Sequence, residues 1–460
     1  MKRMKKAFSL VCILAISALL TSCSVVSADP ETLIQAPSPS GEIEGVAKAF
    51  SKYVDGDYSL VFPKSGDYTS AYVLSDIDAD GQEEAIVFYK LKKENYTLHI
   101  NLLKKDGGKW KTVADYSTSG TDIDKVMFSD LSGTSNKSII IGFLNSVDSS
   151  RSIEVLIYND GYIKCQMHNS YIDFACSDMD NDAKEEIVVL CDEYSDNLAV
   201  KRLAIMCNFG SDDSLIRSEI YSTEIDKNVT DYHYAGTGII EYNAAPASSA
   251  EKVENLDIRT GNALYFDAEK NEEYITEVIY FNERSKTLVA PMYDTKTGSN
   301  DLTLRKYGKR SKDVNNDGSI EIPNDLVLPG PQLEDTVYAT QWMTLYNGSS
   351  FIDVMTEYTD NENKFTMVFP DSWIEDNNIT VTRYMNTIIF SLWDESAQKK
   401  GIDLLEIRLA NQQVWDTNTS GSQYIRLGTK YGKVYLARIL ESDNKYSISE
   451  EQLVNGFKLK

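Results

Sequence analysis

The chain has 460 residues, 42% of them hydrophobic and 10% aromatic, which allows two or three domains and rules against disorder of the whole. Its formal net charge of −24 argues against nucleic acid, whose phosphates need a basic face. The same surplus suits a protein that collects divalent cations.

The N-terminus carries a basic hexapeptide, MKRMKK, then the apolar run AFSLVCILAISALL, then Leu-Thr-Ser-Cys ending at Cys23. This resembles the bacterial lipoprotein signal. The resemblance implies a signal peptide over 1–22, acylation (palmitate or a similar chain) of Cys23 as the mature N-terminus, and a lipid-anchored location on the extracellular face of the bacterial cell membrane. Ordinary secretion with cleavage near Val26-Ser27-Ala28, or a retained anchor helix, is the competing reading. The apolar run is shorter than the roughly 20 residues that a spanning helix needs, and no second run of that length follows.

Residues 23–42 hold Pro30, Pro37 and Pro39 among Ser and Gly and read as a flexible tether. Ile43, Val46, Phe50 and Val54 then recur at helical spacing, predicting a short helix that covers the first sheet. From about 57 to 330 the chain consists of short β-branched and aromatic runs such as EAIVFYKL, SIIIGFL and EEIVVLC, bounded by Gly, Asp, Asn and Ser. Three segments align on Ser-Asp: AYVLSDIDADGQEEAIVFY, KVMFSDLSGTSNKSIIIGF and DFACSDMDNDAKEEIVVLC. Their aspartates, Asp76, Asp130 and Asp178, are 54 and 48 residues apart. A period near 50 with about four strands per unit is the size of a propeller blade. A later copy begins at Asp313, 135 residues beyond Asp178, leaving room for about two further units with degenerate loops. The expected architecture is mainly β: a β-propeller-like domain of five to seven blades over 43–335, followed by a small α+β domain over 340–460. That second domain ends in a short helix with Ser449 and Gln452 in capping-box spacing.

Cys165, Cys176, Cys191 and Cys207 lie within 43 residues, in strand-like runs and without paired CxxC spacing. Buried thiols are the favoured reading, with one or two disulfides as the alternative in an exported protein.

The stretch SDIDADGQEEAIVFY carries the chemistry. Asp76, Asp78 and Asp80 alternate, Gly81 permits a sharp turn, and Glu84 closes the loop directly before a strand. Oxygen ligands at every second position converge on a hard cation such as calcium. Without one, each carboxylate pair repels by about 1 kcal/mol at 4 Å in water and by up to about 4 at an intermediate dielectric. An EF-hand also starts D-x-D-x-D-G but places Glu at position twelve between helices, whereas position twelve here is Val87. The loop resembles the calcium loops of FG-GAP and VCBS repeat proteins, known from integrin α-chain propellers, with the pattern D-x-D-x-D-G-x-x-D/E. The resemblance implies three ligand sets: Asp76, Asp78, Asp80 and Glu84 with the Gln82 carbonyl; Asp178, Asp180, Asp182 and Glu186 with the Lys184 carbonyl; and Asp313, Asn315, Asp317 and Glu321 with the Ser319 carbonyl. Ala183 stands where the third loop should have glycine. The Asp130 loop offers Ser132, Thr134 and Ser138 instead of acids, which implies that it holds no ion.

No nucleophile elbow, zinc-helix motif or glycine-rich phosphate loop occurs, and His99, in a strand run, reads as structural. Glu83 beside Glu84 and Glu185 beside Glu186 could suggest glycosidase carboxylates, but adjacent strand residues face opposite sides. The aromatic-rich YATQWMTLY and DSWIEDN read as β-sheet packing in preference to a sugar platform. The arrangement as a whole resembles VCBS-repeat lipoproteins of Gram-positive anaerobes. It implies a membrane-anchored, noncatalytic binding or assembly module with a protein or glycan ligand. An extracellular polysaccharide- or wall-active enzyme and a solute-binding lipoprotein are the alternatives.

Overall fold

The computed structural model describes residues 41–460 except 95–96, 119, 146–148, 196–199, 211–216, 245–256, 307, 331–335, 377 and 418–422. The expected signal peptide, the expected anchor at Cys23 and the expected tether up to residue 40 therefore lie outside the described residues. The architecture is mainly β, 57% strand and 8% helix. No described helix is long and apolar enough to cross a membrane.

Each of the first four sheets is an antiparallel meander of neighbouring chain segments. The first joins Tyr58–Leu60, Tyr72–Ser75, Glu84–Leu91, Thr97–Asp106 and Lys109–Thr118; the second joins Asp122–Ser129, Ser138–Leu144, Arg151–Asn159 and Tyr162–Ser170. The third contains Asp173–Ser177, Glu186–Tyr194, Val200–Phe209 and Arg217–Ile225, and the fourth Tyr232–Asn243, Ile258–Lys270, Glu273–Asn282 and Thr287–Val289. These units have the size and strand order of propeller blades.

The strands are continuously apolar because both of their faces are buried. Along Glu84–Leu91, Ile86 and Phe88 enter a core shared with Ile139, Ile141 and Phe143 of the second sheet. The alternate residues Ala85, Val87 and Tyr89 meet Val46 and Phe50 of the helix Gly41–Tyr53, which covers the outer face of the first sheet as its spacing predicts. The alternation continues: Ile153 and Val155 pack with Ile187 and Val189, then Val188 and Leu190 with Leu264 and Phe266, then Ala263 and Tyr265 with Ile322 and Leu345. Each sheet thus supplies one wall to each of two successive cores.

Among the described residues, one further meander, the fourth sheet, lies between the third sheet and the Asp313 loop, where the repeat spacing suggests about two. Its two long strands consume the sequence. Among the described residues, the segment 290–311 that follows adds only isolated bridges, Tyr274 to Arg305 and Asp294 to Ser299.

The fifth sheet pairs Ile322–Val327 with Tyr338–Tyr346. It therefore crosses the interval between 335 and 340, where the sequence reading puts a domain boundary. Ser350–Asp360, Phe365–Val368 and the C-terminal Phe457–Leu459 complete it. It shares one core with the sixth sheet (Ile379–Tyr384, Thr387–Asp394, Lys399–Asn411, Lys433–Ile439 and Ile425–Lys430) and with Trp373 and Leu453 of short helices. The last helix, Glu450–Gly456, carries the expected capping box: the Ser449 N–H donates to Gln452 Oε1 (2.9 Å) and the Gln452 N–H to Ser449 Oγ (3.1 Å). Trp342 and Trp373 are buried, which favours packing over a sugar platform for their segments. Cys165, Cys176, Cys191 and Cys207 are thiols in place of disulfide halves, and burial pushes Cys176 up to about 12 and Cys191 up to about 11.

Close sheet contact depends on Gly142. A Cβ there would lie 2.3 Å from Tyr171 Oη and 3.0 Å from Phe174 Cε1, both at the start of the third sheet. Gly142→Ala is expected to destabilise the protein by about 1–3 kcal/mol through overpacking, read as a lower urea midpoint.

Candidate metal centres

Four loops of one geometry lead into strands of the first, second, third and fifth sheets. In each, the residue before position one pairs with position nine: Ser75 with Glu84, Ser129 with Ser138, Ser177 with Glu186 and Lys312 with Glu321. Positions four and six are left-handed in all four: Ala79 and Gly81, Gly133 and Ser135, Asn181 and Ala183, Asn316 and Gly318. The Asp313 loop is entered from the single bridging residue Lys312, so it has no full preceding strand.

The same hydrogen bonds recur in the three acidic loops. The position-two N–H donates to the position-nine glutamate: Ile77 to Glu84, Met179 to Glu186 and Val314 to Glu321, each 2.8 Å. The position-six N–H donates to the first aspartate: Gly81 to Asp76 (3.1 Å), Ala183 to Asp178 (3.1 Å) and Gly318 to Asp313 (3.0 Å). Position seven follows, with the N–H of Gln82, Lys184 and Ser319 donating to Asp80, Asp182 and Asp317 at 2.8, 2.9 and 2.8 Å. The Asp130 loop adopts the same form with hydroxyls: the Ser135 N–H donates to Asp130 (2.8 Å), and Ser132 donates to Asp130 (3.1 Å) and lies 2.6 Å from Thr134 Oγ1. Turn chemistry alone therefore makes the loop, and the acids are additional.

Two carboxylate groups are gathered tightly enough to hold a metal ion: Asp76, Asp78 and Glu84, and Asp178, Asp180 and Glu186, with one oxygen of each residue within 4.8 Å of the others in its group. Asp80 and Asp182 stand outside these groups, exposed at the rim. At the Asp313 loop the second ligand position is Asn315, whose amide donates to Asp317 (2.8 Å), and its acids do not form such a group. Adjacent acids split as alternation requires: Glu83 is exposed while Glu84 is buried, and Glu185 accepts from Ser129 Oγ (2.6 Å) while Glu186 is 0% exposed.

The residues fit a hard cation, because buried oxygens are left over. Asp76 Oδ1, Asp78 Oδ1, Asp180 Oδ1, Glu186 Oε1 and Glu321 Oε1 have no protein partner. Burial and then the neighbouring aspartates push Glu186 up to about 8, and burial likewise raises Glu84 and Glu321. A divalent ion reverses that pressure by supplying charge where the glutamate lacks it.

Two features escape a motif search. His99 lies between Asp115 (2.8 Å) and Glu94 (2.9 Å) within the first sheet, with Tyr89 and Asn101 also donating to Asp115. A buried polar cluster pins the segment 290–311: Lys270 reaches Asp226 (2.9 Å) and Asp301 (2.6 Å), and Arg305 reaches Asp267 (3.0 Å). Glu277, 0% exposed, lies inside this cluster and is pushed up to about 8 by burial. Tyr232 gives its proton to the Asp226 carbonyl (2.7 Å), so its oxygen, 3.5 Å from Glu277 Oε2, is placed to accept one from the neutral acid.

No family model matches the chain, and no curated protein matches it. Among solved structures it is similar to a protein from Lactobacillus plantarum (8% identity, 74% of this chain and 85% of that one, TM-score 0.28). It is also similar to the exotype rhamnogalacturonan lyase YesX (12% identity, 75% and 65%, TM-score 0.26) and to the Dos1 propeller (10% identity, 68% and 90%, TM-score 0.22). Likenesses at this level say nothing of activity.

Ala183 has φ 68°, a conformation that costs a residue with a Cβ roughly 1–2 kcal/mol. After the greater unfolded-state freedom of glycine is subtracted, Ala183→Gly is expected to stabilise the protein by about 0.5–1 kcal/mol in urea unfolding. Glu277 keeps its proton in the folded state up to about 8, while the unfolded chain loses it near the ordinary glutamate value of 4.5. Its contribution is therefore present below that lower value and is lost as pH rises toward 8, with a slope of up to about 1.4 kcal/mol per pH unit. Glu277→Gln is expected to remove that share of the slope in unfolding curves recorded between pH 5 and 8.

Proposed function

We propose that this protein is an exported, lipid-anchored member of the VCBS and FG-GAP type, in which calcium at the Asp76, Asp178 and Asp313 loops ties stacked sheets into a noncatalytic binding or assembly module. The observation that carries the calcium reading is Glu186. It is fully buried, takes one backbone N–H on Oε2 and leaves Oε1 unpartnered, and one of its oxygens lies within 4.8 Å of an oxygen of Asp178 and one of Asp180. Hard oxygen donors with a forgiving geometry suit calcium better than transition metals, which favour imidazole or thiolate. Acylation of Cys23 and the bacterial cell surface as location are supported by the signal sequence. The ligand belongs to the protein or glycan classes, and the net charge of −24 weighs against nucleic acid.

Exported modules commonly bind calcium at about 0.1–1 mM. Several millimolar calcium is then expected to stabilise the fold by about 1–3 kcal/mol per filled site, seen as a rise in Tm over chelator. Combined Asp76→Ala, Asp178→Ala and Asp313→Ala should abolish the rise. An unchanged Tm in the wild-type protein would remove calcium from the account.

A further inference from the structure

The loops share a pattern, but the strand beside each differs. Ala85 pairs with Leu103, so Lys104 falls next to Glu84; Ile187 pairs with Cys207, so Asn208 falls next to Glu186. Register therefore places a lysine at the inner wall of the first cluster and an amide at the equivalent wall of the third. Lys104 Nζ is bonded to Asp78 and lies 3.5 Å from Glu84 Oε1 and 3.7 Å from Asp80 Oδ2. Asn208 Nδ2 donates to Asp180 Oδ2 (3.2 Å) and adds no charge. By rotating, an amide presents its oxygen to a cation, whereas an ammonium has only donors. The third loop has a lysine of its own, Lys184, but that side chain pairs with Asp182 at the rim (2.9 Å) and leaves Glu186 Oε1 and Asp180 Oδ1 unpartnered.

We propose that Lys104 is a built-in competitor for the divalent cation of the Asp76 loop, so that the Asp178 loop, with Asn208 in the equivalent position, is the tighter of the two sites. This rests on the calcium reading above and adds a ranking that the loop sequences do not contain: by pattern, the Asp76 loop, with its glycine, is the better site. A cation entering the Asp76 loop must displace an ammonium that already neutralises part of the cluster. The displaced side chain has somewhere to go. A cavity of about 330 Å³ between the first two sheets is bordered by Lys104, Asp78, Tyr158, Asn159 and Asp160. Nζ already lies 6.0 Å from the Tyr158 ring centroid, and Asp160 offers it another carboxylate. Filling the Asp76 loop is thereby coupled to occupation of the cleft beside it, while filling the Asp178 loop is not.

The test is calorimetric titration of the full chain in detergent with calcium chloride alone. In the wild-type protein, Asp180→Asn is expected to remove the tighter class of site and Asp78→Asn a weaker one. Lys104→Met, close in length and apolar bulk, should raise the affinity of the Asp76 loop about tenfold or more, since a unit charge within 4 Å is removed. That gain should vanish when Asp78→Asn is added. The reciprocal Asn208→Lys should weaken the Asp178 loop by a similar factor, and thermal unfolding in chelator checks that each variant remains folded. Affinities unchanged within twofold in Lys104→Met, with calcium still bound, would overturn the role of Lys104 and leave the calcium reading intact. Absence of calcium binding in the wild-type protein would overturn both.

Discussion

A carboxylate buried at the first residue of a core strand is the constraint on which this structure turns. Glu84, Glu186 and Glu321 are each at most 1% exposed and each accept the N–H of position two of the preceding loop. The strands that begin at Glu84 and Glu186 are walled by hydrophobic cores on both faces, which makes these positions costly for an isolated negative charge. Either the glutamate holds a proton or a cation stands beside it. The Asp130 loop marks the alternative solution, since Ser138 occupies position nine and hydroxyls replace the acids while the backbone keeps the same form.

The loops also connect the sheets to one another. The Lys137 N–H donates to the Ile77 carbonyl (2.7 Å), the Glu185 N–H to the Asp130 carbonyl (3.1 Å) and Asn262 to the Asp178 carbonyl (2.7 Å). The Ile239 N–H likewise donates to the Gly318 carbonyl (2.9 Å). The first three loops are thus held in a row, and the Asp178 and Asp313 loops are each held to a strand of the fourth sheet, at the facing residues Asn262 and Ile239. An ion that fixed one loop would thereby constrain the sheet that carries it and the neighbouring segment bonded to it. The polar cluster of Asp226, Lys270, Asp301, Asp267 and Arg305 does comparable work for the segment 290–311, with the protein's own cations in place of metal.

The stacked architecture was legible because doubly buried strands leave continuous apolar runs, and the first three loops because each opens on Ser-Asp. Helical spacing of Val46 and Phe50 gave the covering helix, and the Ser449–Gln452 spacing gave the C-terminal cap. Other features were hidden for a physical reason: they depend on which distant residues register and packing bring together. Lys104 and Asn208 lie some twenty residues from the glutamates they adjoin, and no local pattern distinguishes them. Glu277 sits in an unremarkable strand run and acquires its character from complete burial beside Tyr232 and Asn300. The interval 335–340 looked like a boundary because it separates two styles of sequence, yet Ile322–Val327 and Tyr338–Tyr346 are neighbours in one sheet.

Backbone amide exchange at Met179 reads the central claim most directly, because that N–H is bonded to the buried carboxylate that must be balanced by a proton or a cation. With a cation at the Asp178 loop, its exchange in the full chain should slow by about tenfold or more on passing from chelator to millimolar calcium, while amides of the sixth sheet keep their rates. Equal rates at Met179 in the two conditions would contradict the account, since Glu186 would then be stabilised by its proton alone.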